Sequence, residues 1–324
     1  MSCAGTVTRC GRAWPGAAIR GVAGFLAALA AKLLATVRMR ETLLVLAALA
    51  SVPAHAIRVT DDAGMTVELA APARRIVTLA PHAAELVASA GAVAKLVGVG
   101  AHTDAPPEAR ALPVIGDSNA IDIEGIVALA PDLVVAWPWA APSQVEALRR
   151  RGIAVFTSAS RTIDAIAGDI EAIGALAGTS ASAARSAQSF RQRVAALRAS
   201  AWKGVPVRVF YQLSDAPLYT IGGDHTITQA IALCGGVNVF ATLDVPAPVV
   251  NVEEVLAQRP ALIVTGTSGA VRPRWLDDWR RWPGLAAARD DGLAVVDADF
   301  LHRPGPRFVD GVAQLCAAIA KAAQ

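Results

Sequence analysis

Residues 121–137, IDIEGIVALAPDLVVAW, and residues 250–266, VNVEEVLAQRPALIVTG, spell one supersecondary unit twice. Each copy places a carboxylate, Glu124 or Glu253, at the start of a short amphipathic helix. A proline, Pro131 or Pro260, then stops the helix, and an apolar β-branched run comes next that reads as a buried strand. One unit used twice predicts two similar α/β lobes. Two such lobes leave a cleft between them, and small ligands are commonly bound in clefts of that kind.

The rest of the chain supports this division. Residues 57–69 alternate around Asp61-Asp62-Ala63-Gly64, a hairpin signal. Strand patterns at 75–79, 96–99 and 153–156 alternate with helical ones at 83–90 and 144–151, and Gly91 and Gly152 close those helices. A second α/β run starts at Val205–Gln212 and continues through Ile227–Leu233, Val295–Asp297 and Val309–Lys321. Regular alternation of this type argues for parallel sheets flanked by helices. Residues 162–201 break the pattern with helical spacing and no strand. The expected organisation is an N-terminal lobe over 57–160, a connector helix over 161–203 and a C-terminal lobe over 204–324.

At 324 residues the chain has room for two domains of ordinary size. Its net charge of +3 is misleading, because residues 1–56 hold six of the 30 basic residues and one of the 27 acidic ones. Residues 57–324 are slightly acidic and show no basic stripe, so no nucleic-acid partner is expected. Met39-Arg40, the apolar run Leu43–Ala50 and Ala54-His55-Ala56 have the layout of an export signal cut after Ala56. Residues 1–56 therefore read as an N-terminal extension and a signal peptide: either translation starts at Met39, or residues 1–38 are an extension that is discarded. The alternative is a membrane anchor over Gly24–Val37, but Lys32 interrupts that run and it is short for a bilayer span. After processing, Cys234 and Cys316 remain, either as two buried thiols or as a disulfide; an oxidising compartment favours the disulfide.

No G-x-S-x-G, H-E-x-x-H, phosphate loop or C-x-x-C occurs, and Gly98-Val99-Gly100 lacks the third glycine of a dinucleotide loop. A binding protein is expected rather than an enzyme, with no intrinsic cofactor. The loops after the strands are more informative, because the carboxyl edge of a parallel sheet faces the ligand crevice. Those loops carry Pro81-His82, His102, Trp137-Pro138-Trp139, Tyr219, and Asp299-Phe300 with Arg303. Prolines and aromatics there predict a rigid groove with broad flat walls, suited to a large flat ligand. Core packing is the competing role for Trp137 and Trp139, but two such residues flanking a proline do not easily share one core.

TLAPHAAELVASAGA, LVGVGAHTDAPP, IDIEGIVALAPDLVVAW, ALCGGVNVF, VNVEEVLAQRPALIV and AQLC occur in the order found in the helix-linked, class III periplasmic substrate-binding proteins of ABC importers. The chain resembles the cobalamin-binding members of that family over about residues 74–320. The resemblance implies two Rossmann-like lobes with parallel sheets, joined by a long backbone helix, with the ligand in the cleft between them. It implies a monomeric periplasmic carrier that delivers cobalamin or another corrinoid to a permease dimer in the inner membrane. Trp137, Tyr219, Asp299 and Arg303 match pocket positions, and Glu124 and Glu253 match the carboxylates that dock onto the permease. An ordinary helix-start role is the competing account of each glutamate. Cys234 and Cys316 match the family's disulfide. His102 stands where a tyrosine is expected, and Ser118 and Ala247 stand in place of tryptophans, so the pocket is less aromatic. Haem or a ferric siderophore is the alternative ligand, with His102 a possible axial ligand, and a periplasmic chelatase or corrinoid-processing enzyme is the reading from another class.

Overall fold

The computed structural model describes residue 32 and residues 56–117, 120–138, 142–289 and 292–324. Apart from Lys32 and Ala56, the extension and signal segment lies outside the described residues, as do Ser118 and Trp139. From Ala56 to Gln324 the chain is one compact unit.

It opens with the hairpin β1 (Ile57–Thr60) and β2 (Thr66–Leu69), paired antiparallel. Asp61 closes the turn by accepting the amides of Ala63 and Met65 at 3.0 and 2.8 Å. Strands β3 (Ile76–Thr78), β4 (Leu96–Gly98), β5 (Leu133–Ala136) and β6 (Ala154–Thr157) then form a parallel sheet in the order β4-β3-β5-β6. Strands β7 (Val207–Gln212), β8 (Gly236–Asn238), β9 (Leu262–Thr267) and β10 (Leu293–Asp297) form a second, in the order β8-β7-β9-β10. Position by position the two orders are the same: in each sheet the first and third strands are central. The central β3 and β5 are buried throughout and β7 and β9 nearly so, as apolar β-branched runs covered on both faces must be.

The repeated unit supplies the third strand of each sheet. In lobe one it is helix α2 (Ile123–Ala128) leading to β5; in lobe two it is helix α7 (Val252–Gln258) leading to β9. Asp122 caps the first, accepting the Gly125 amide at 2.9 Å, and Asn251 caps the second, accepting the Glu254 amide at 2.8 Å. Each helix ends before its proline, which disfavours helical geometry in the preceding residue. That residue takes a positive φ in both copies, 43° at Ala130 and 47° at Arg259. The same uncommon conformation at the same place shows that the duplication extends to the backbone.

The other helices are α1 (Pro81–Ser89), α3 (Pro142–Arg150), α4 (Ile163–Ala177), α5 (Ser180–Ser200), α6 (Thr226–Leu233), α8 (Ala298–Leu301) and α9 (Phe308–Ala322). The segment expected as one connector helix is two. Gly178, at φ 69°, ends α4, and the Thr179 amide bonds the Gly174 carbonyl at 2.7 Å. The chain then reverses, so that Arg191 of α5 pairs with Glu171 at 2.7 Å and with Asp164 at 3.1 Å. Gly174 lies so close to Ala183 that a Cβ there would overlap it.

One apolar core runs through both lobes and the connector: Ile76, Leu133 and Phe156 join Ile166, Ile170 and Ile173 of α4, and these join Val209, Leu262 and Val296. Separate clusters back the far face of each sheet. A shared core opposes large rotation of one lobe on the other, since opening would expose it to water.

Candidate functional site

The strands of both sheets end at a cavity of about 400 Å³. Lobe one contributes Trp137 and Pro138 after β5, and Ser160 and Arg161 beyond β6. Lobe two contributes Asp224, His225 and Thr226 at the start of α6, Pro246, and His302 and Pro304 after α8.

Clasps between the lobes hold these walls in place. On one side Arg161 pairs with Asp224 at 2.7 Å, Gln229 donates to the Arg161 carbonyl at 2.7 Å, and Thr226 donates to the Ser160 carbonyl at 3.0 Å. A second clasp joins Glu85 of α1 and Asp104 to arginines of lobe two. Arg303 reaches Asp104 at 2.6 Å and Asp299 at 2.8 Å. Arg307 grips Glu85 through two nitrogens, at 3.0 and 2.6 Å, and lies 5.2 Å from the Phe300 ring centre. Burial pushes the Asp104 carboxyl up, but the hydrogen bond and charge of Arg303, with Arg307 beside it, outweigh this and hold it below the usual range. Burial pushes the Glu85 carboxyl up in spite of Arg307.

The histidines around the cleft are kept neutral. His302 Nε2 lies 2.9 Å from the Tyr211 hydroxyl, and burial, then the neighbouring His225, lowers its pKa to about 4. Burial also lowers that of His225, whose Nδ1 accepts the Ile227 amide at 3.1 Å. With Nδ1 accepting, the neutral ring carries its proton on Nε2. Among the described residues no three metal-binding side chains converge.

Of the residues singled out from sequence, Trp137 lines the cavity. His82 sits behind it, buried in α1, edge-on to the indole at 5.6 Å and with Nε2 unbonded; burial, then Arg303, lowers its pKa to about 4. Pro81 is the first residue of α1. Asp299, Phe300 and Arg303 belong to the second clasp. Tyr219 is exposed after β7 and bridged to Val249. His102 occupies an exposed turn after β4 at φ 62° and is not among the cavity-lining residues. Glu124 and Glu253 are both the second residue of their helices, α2 and α7, and exposed. Cys234 and Cys316 are joined as a disulfide. Sequence reasoning missed His225, His302, Glu85, Arg307 and the Arg161–Asp224 pair. His302 lies in one of the strand-end loops, and the turn residues GGDHT ahead of α6 are the signal that could have found His225. For Glu85 and Arg307 there was no local signal, because the partners are 222 positions apart.

Two equivalent α/β lobes with a cavity between their strand ends define a bilobal small-molecule binding protein. The chain belongs to the periplasmic binding protein family, whose model matches residues 76–298. It is 39% identical over 247 residues to the vitamin B12-binding protein of Vibrio cholerae, covering 76% of this chain and 88% of that one. With its counterpart from Photorhabdus laumondii it shares 33% over 243 residues, or 75% and 86% of the two chains. The crystal structure of the periplasmic vitamin B12 binding protein BtuF of Vibrio cholerae superposes with a TM-score of 0.71 at 38% identity, covering 78% of this chain and 99% of that one. The periplasmic heme-binding protein RhuT from Roseiflexus superposes at 0.69 and 26% identity, with coverage of 78% and 99%.

Proposed function

We propose that this chain is the non-catalytic carrier of an ABC importer, binding cobalamin or a related corrinoid between its lobes and delivering it to the permease. The observation that carries the reading is the cavity at the strand ends of both lobes, walled by Trp137, Pro138, Pro246 and Pro304. Those walls are rigid and flat, and neutral His225 and His302 offer hydrogen bonds without charge. The macrocycle would be held between the walls, with its substituents at the open mouth. The named relatives add support, being vitamin B12-binding proteins that match this chain along most of its length. Haem is the second reading, favoured by the cavity histidines and by the likeness to a heme-binding protein.

Titrating the purified protein with cyanocobalamin and with hemin separates the two. A calorimetric signal with cyanocobalamin, weakened about tenfold by Trp137→Ala, supports the corrinoid reading. A response to hemin alone transfers it to haem. His302→Ala then tests axial ligation from the cavity, which loss of a metal-to-ligand band would support, whereas His102→Ala, outside the cavity lining, should leave the band unchanged.

The same proposal has residues 57–160 and 204–324 as the lobes, 161–203 as their connector, and export by a signal cut after Ala56. N-terminal sequencing of the periplasmic protein should begin at Ile57. Glu124 and Glu253 are its docking carboxylates, one per lobe. Replacing both with alanine should leave corrinoid affinity intact and cut transport strongly; normal transport would make them ordinary helix-start residues.

A further inference from the structure

Each histidine of the ligand cavity has one ring nitrogen already committed. His225 stands at the start of α6, and its Nδ1 accepts the Ile227 amide at 3.1 Å. A nitrogen that accepts carries no proton, so the neutral ring holds its proton on Nε2. His302 follows α8, and its Nε2 lies 2.9 Å from the Tyr211 hydroxyl. That phenol is buried in β7, and burial pushes its pKa up, so it stays protonated. Were it to accept from His302, its own proton would have no acceptor among the described residues, which is costly for a buried hydroxyl. Tyr211 therefore donates, and His302 carries its proton on Nδ1.

His225 Nε2 and His302 Nδ1 have no partner among the described residues, and both rings line the cavity. Each is an N–H without an acceptor, and neither is a bare nitrogen open to a metal. Ligating a metal would move the His225 proton onto the nitrogen that faces the Ile227 amide, or reverse the His302 bond and strand the Tyr211 proton. The cavity also holds no spare charge. Among the described residues that line it, Arg161 and Asp224 are the charged ones, and they pair at 2.7 Å. His302 stays neutral, its pKa lowered to about 4 by burial and then by His225.

We propose that His225 and His302 determine specificity as fixed N–H donors, with Tyr211 the positioning residue that keeps the His302 proton on Nδ1. Together they select a macrocycle whose edge inside the cavity bears uncharged amides over one whose edge bears carboxylates. The inference rests on the corrinoid reading above and narrows it. An amide carbonyl accepts from a neutral N–H and brings no charge. A carboxylate in the same place would be desolvated with no unpaired cation to meet it, and a buried charge without a partner costs far more than an unmade neutral bond. The same chemistry disfavours haem, whose propionates are carboxylates and whose iron takes a nitrogen lone pair.

The test uses the full mature protein. Calorimetry gives its affinity for cyanocobalamin and for each isomer in which one peripheral amide has been hydrolysed to the acid. At least one isomer should bind about tenfold more weakly than cyanocobalamin. His225→Leu and His302→Leu should each weaken cyanocobalamin binding about tenfold, whereas His225→Gln and His302→Asn, which put an amide N–H where the imidazole had its own, should stay within about threefold of the parent. Nitrogen-15 spectra of the imidazoles read the tautomer. His302 should be protonated on Nδ1 in the parent and should populate the Nε2 form in Tyr211→Phe, a change that a merely structural tyrosine would not produce. A parent His302 protonated on Nε2, polar variants as weak as the leucine ones, or acid isomers all bound as tightly as cyanocobalamin would each overturn the proposal and leave the corrinoid reading in place. Hemin binding without cyanocobalamin binding would overturn the reading and the proposal together.

Discussion

Replacing Asp169 by asparagine should stabilise the protein at alkaline pH and do little at acid pH. Asp169 is a buried residue of α4, 3% exposed. Its carboxyl receives the hydroxyls of Ser158 at 2.5 Å and Ser160 at 2.8 Å and shares a hydrogen bond with Asp62, which in turn accepts the Ala159 amide at 2.7 Å. These groups hold the run from β6 into the connector, and Ala159 and Ser160 also wall the ligand cavity. Burial, and next the charge of Asp62, pushes Asp169 up from 3.8 to about 7. The folded state thus binds this proton more tightly than the unfolded chain does. The resulting stability is fully present below pH 3.8 and is lost as pH rises through about 7. A shift of about three units at ~1.4 kcal/mol each amounts to about 4 kcal/mol lost by pH 8. Asparagine keeps the arrangement without the charge: Oδ1 accepts from the serines while Nδ2 donates to Asp62, as the protonated carboxyl does. At pH 8 the variant should melt higher by on the order of 8 °C, taking about 2 °C per kcal/mol for a chain of this size. At pH 4 the two should coincide. Calorimetric melts across that range provide the measurement; titrations away from this pair cancel in the difference between the two proteins, and the difference reports Asp169 together with its partner Asp62. A constant difference between pH 4 and 8, or a variant that melts lower at pH 8, would refute the argument.

A Cβ on Gly266 would fall 2.5 Å from His302 Nε2 and 2.7 Å from the Tyr211 hydroxyl. Gly266→Ala should therefore cost about 1–3 kcal/mol and weaken ligand binding several-fold; unchanged affinity by calorimetry would mean that His302 does not shape the cavity. Glu85→Ala leaves the partly exposed Arg307 guanidinium with the 3.5 Å contact to Asp104 and its place over Phe300, and should lose about 1–2 kcal/mol in urea unfolding. A loss under 1 kcal/mol would show that the second clasp is not a significant tie between the lobes. Reducing the Cys234–Cys316 bridge, which closes a loop of 82 positions, should cost about 4 kcal/mol on the chain-entropy account. An unchanged melting temperature in reductant, with free thiols confirmed by titration, would contradict it.

The duplicated lobes were legible in the linear sequence because the forces that make them are local. Apolar spacing, a capping Asp122 or Asn251 and a stopping Pro131 or Pro260 act within one turn of chain, so α2–β5 and α7–β9 could be read residue by residue. The strand-end loops were legible for the same reason, and Trp137 reached the cavity from one of them. The connector was half legible. Helical spacing marked residues 162–201, but that Gly178 turns α4 back against α5 depends on the packing of Gly174 onto Ala183. The clasps and the neutral histidines were set by tertiary structure. Nothing near Asp299 or Arg303 in sequence says that Asp104 arrives from the other lobe, or that Arg307 will meet Glu85. Charge pairing and burial depend on distances in space, and those exist only once the shared core has brought the two sheets together.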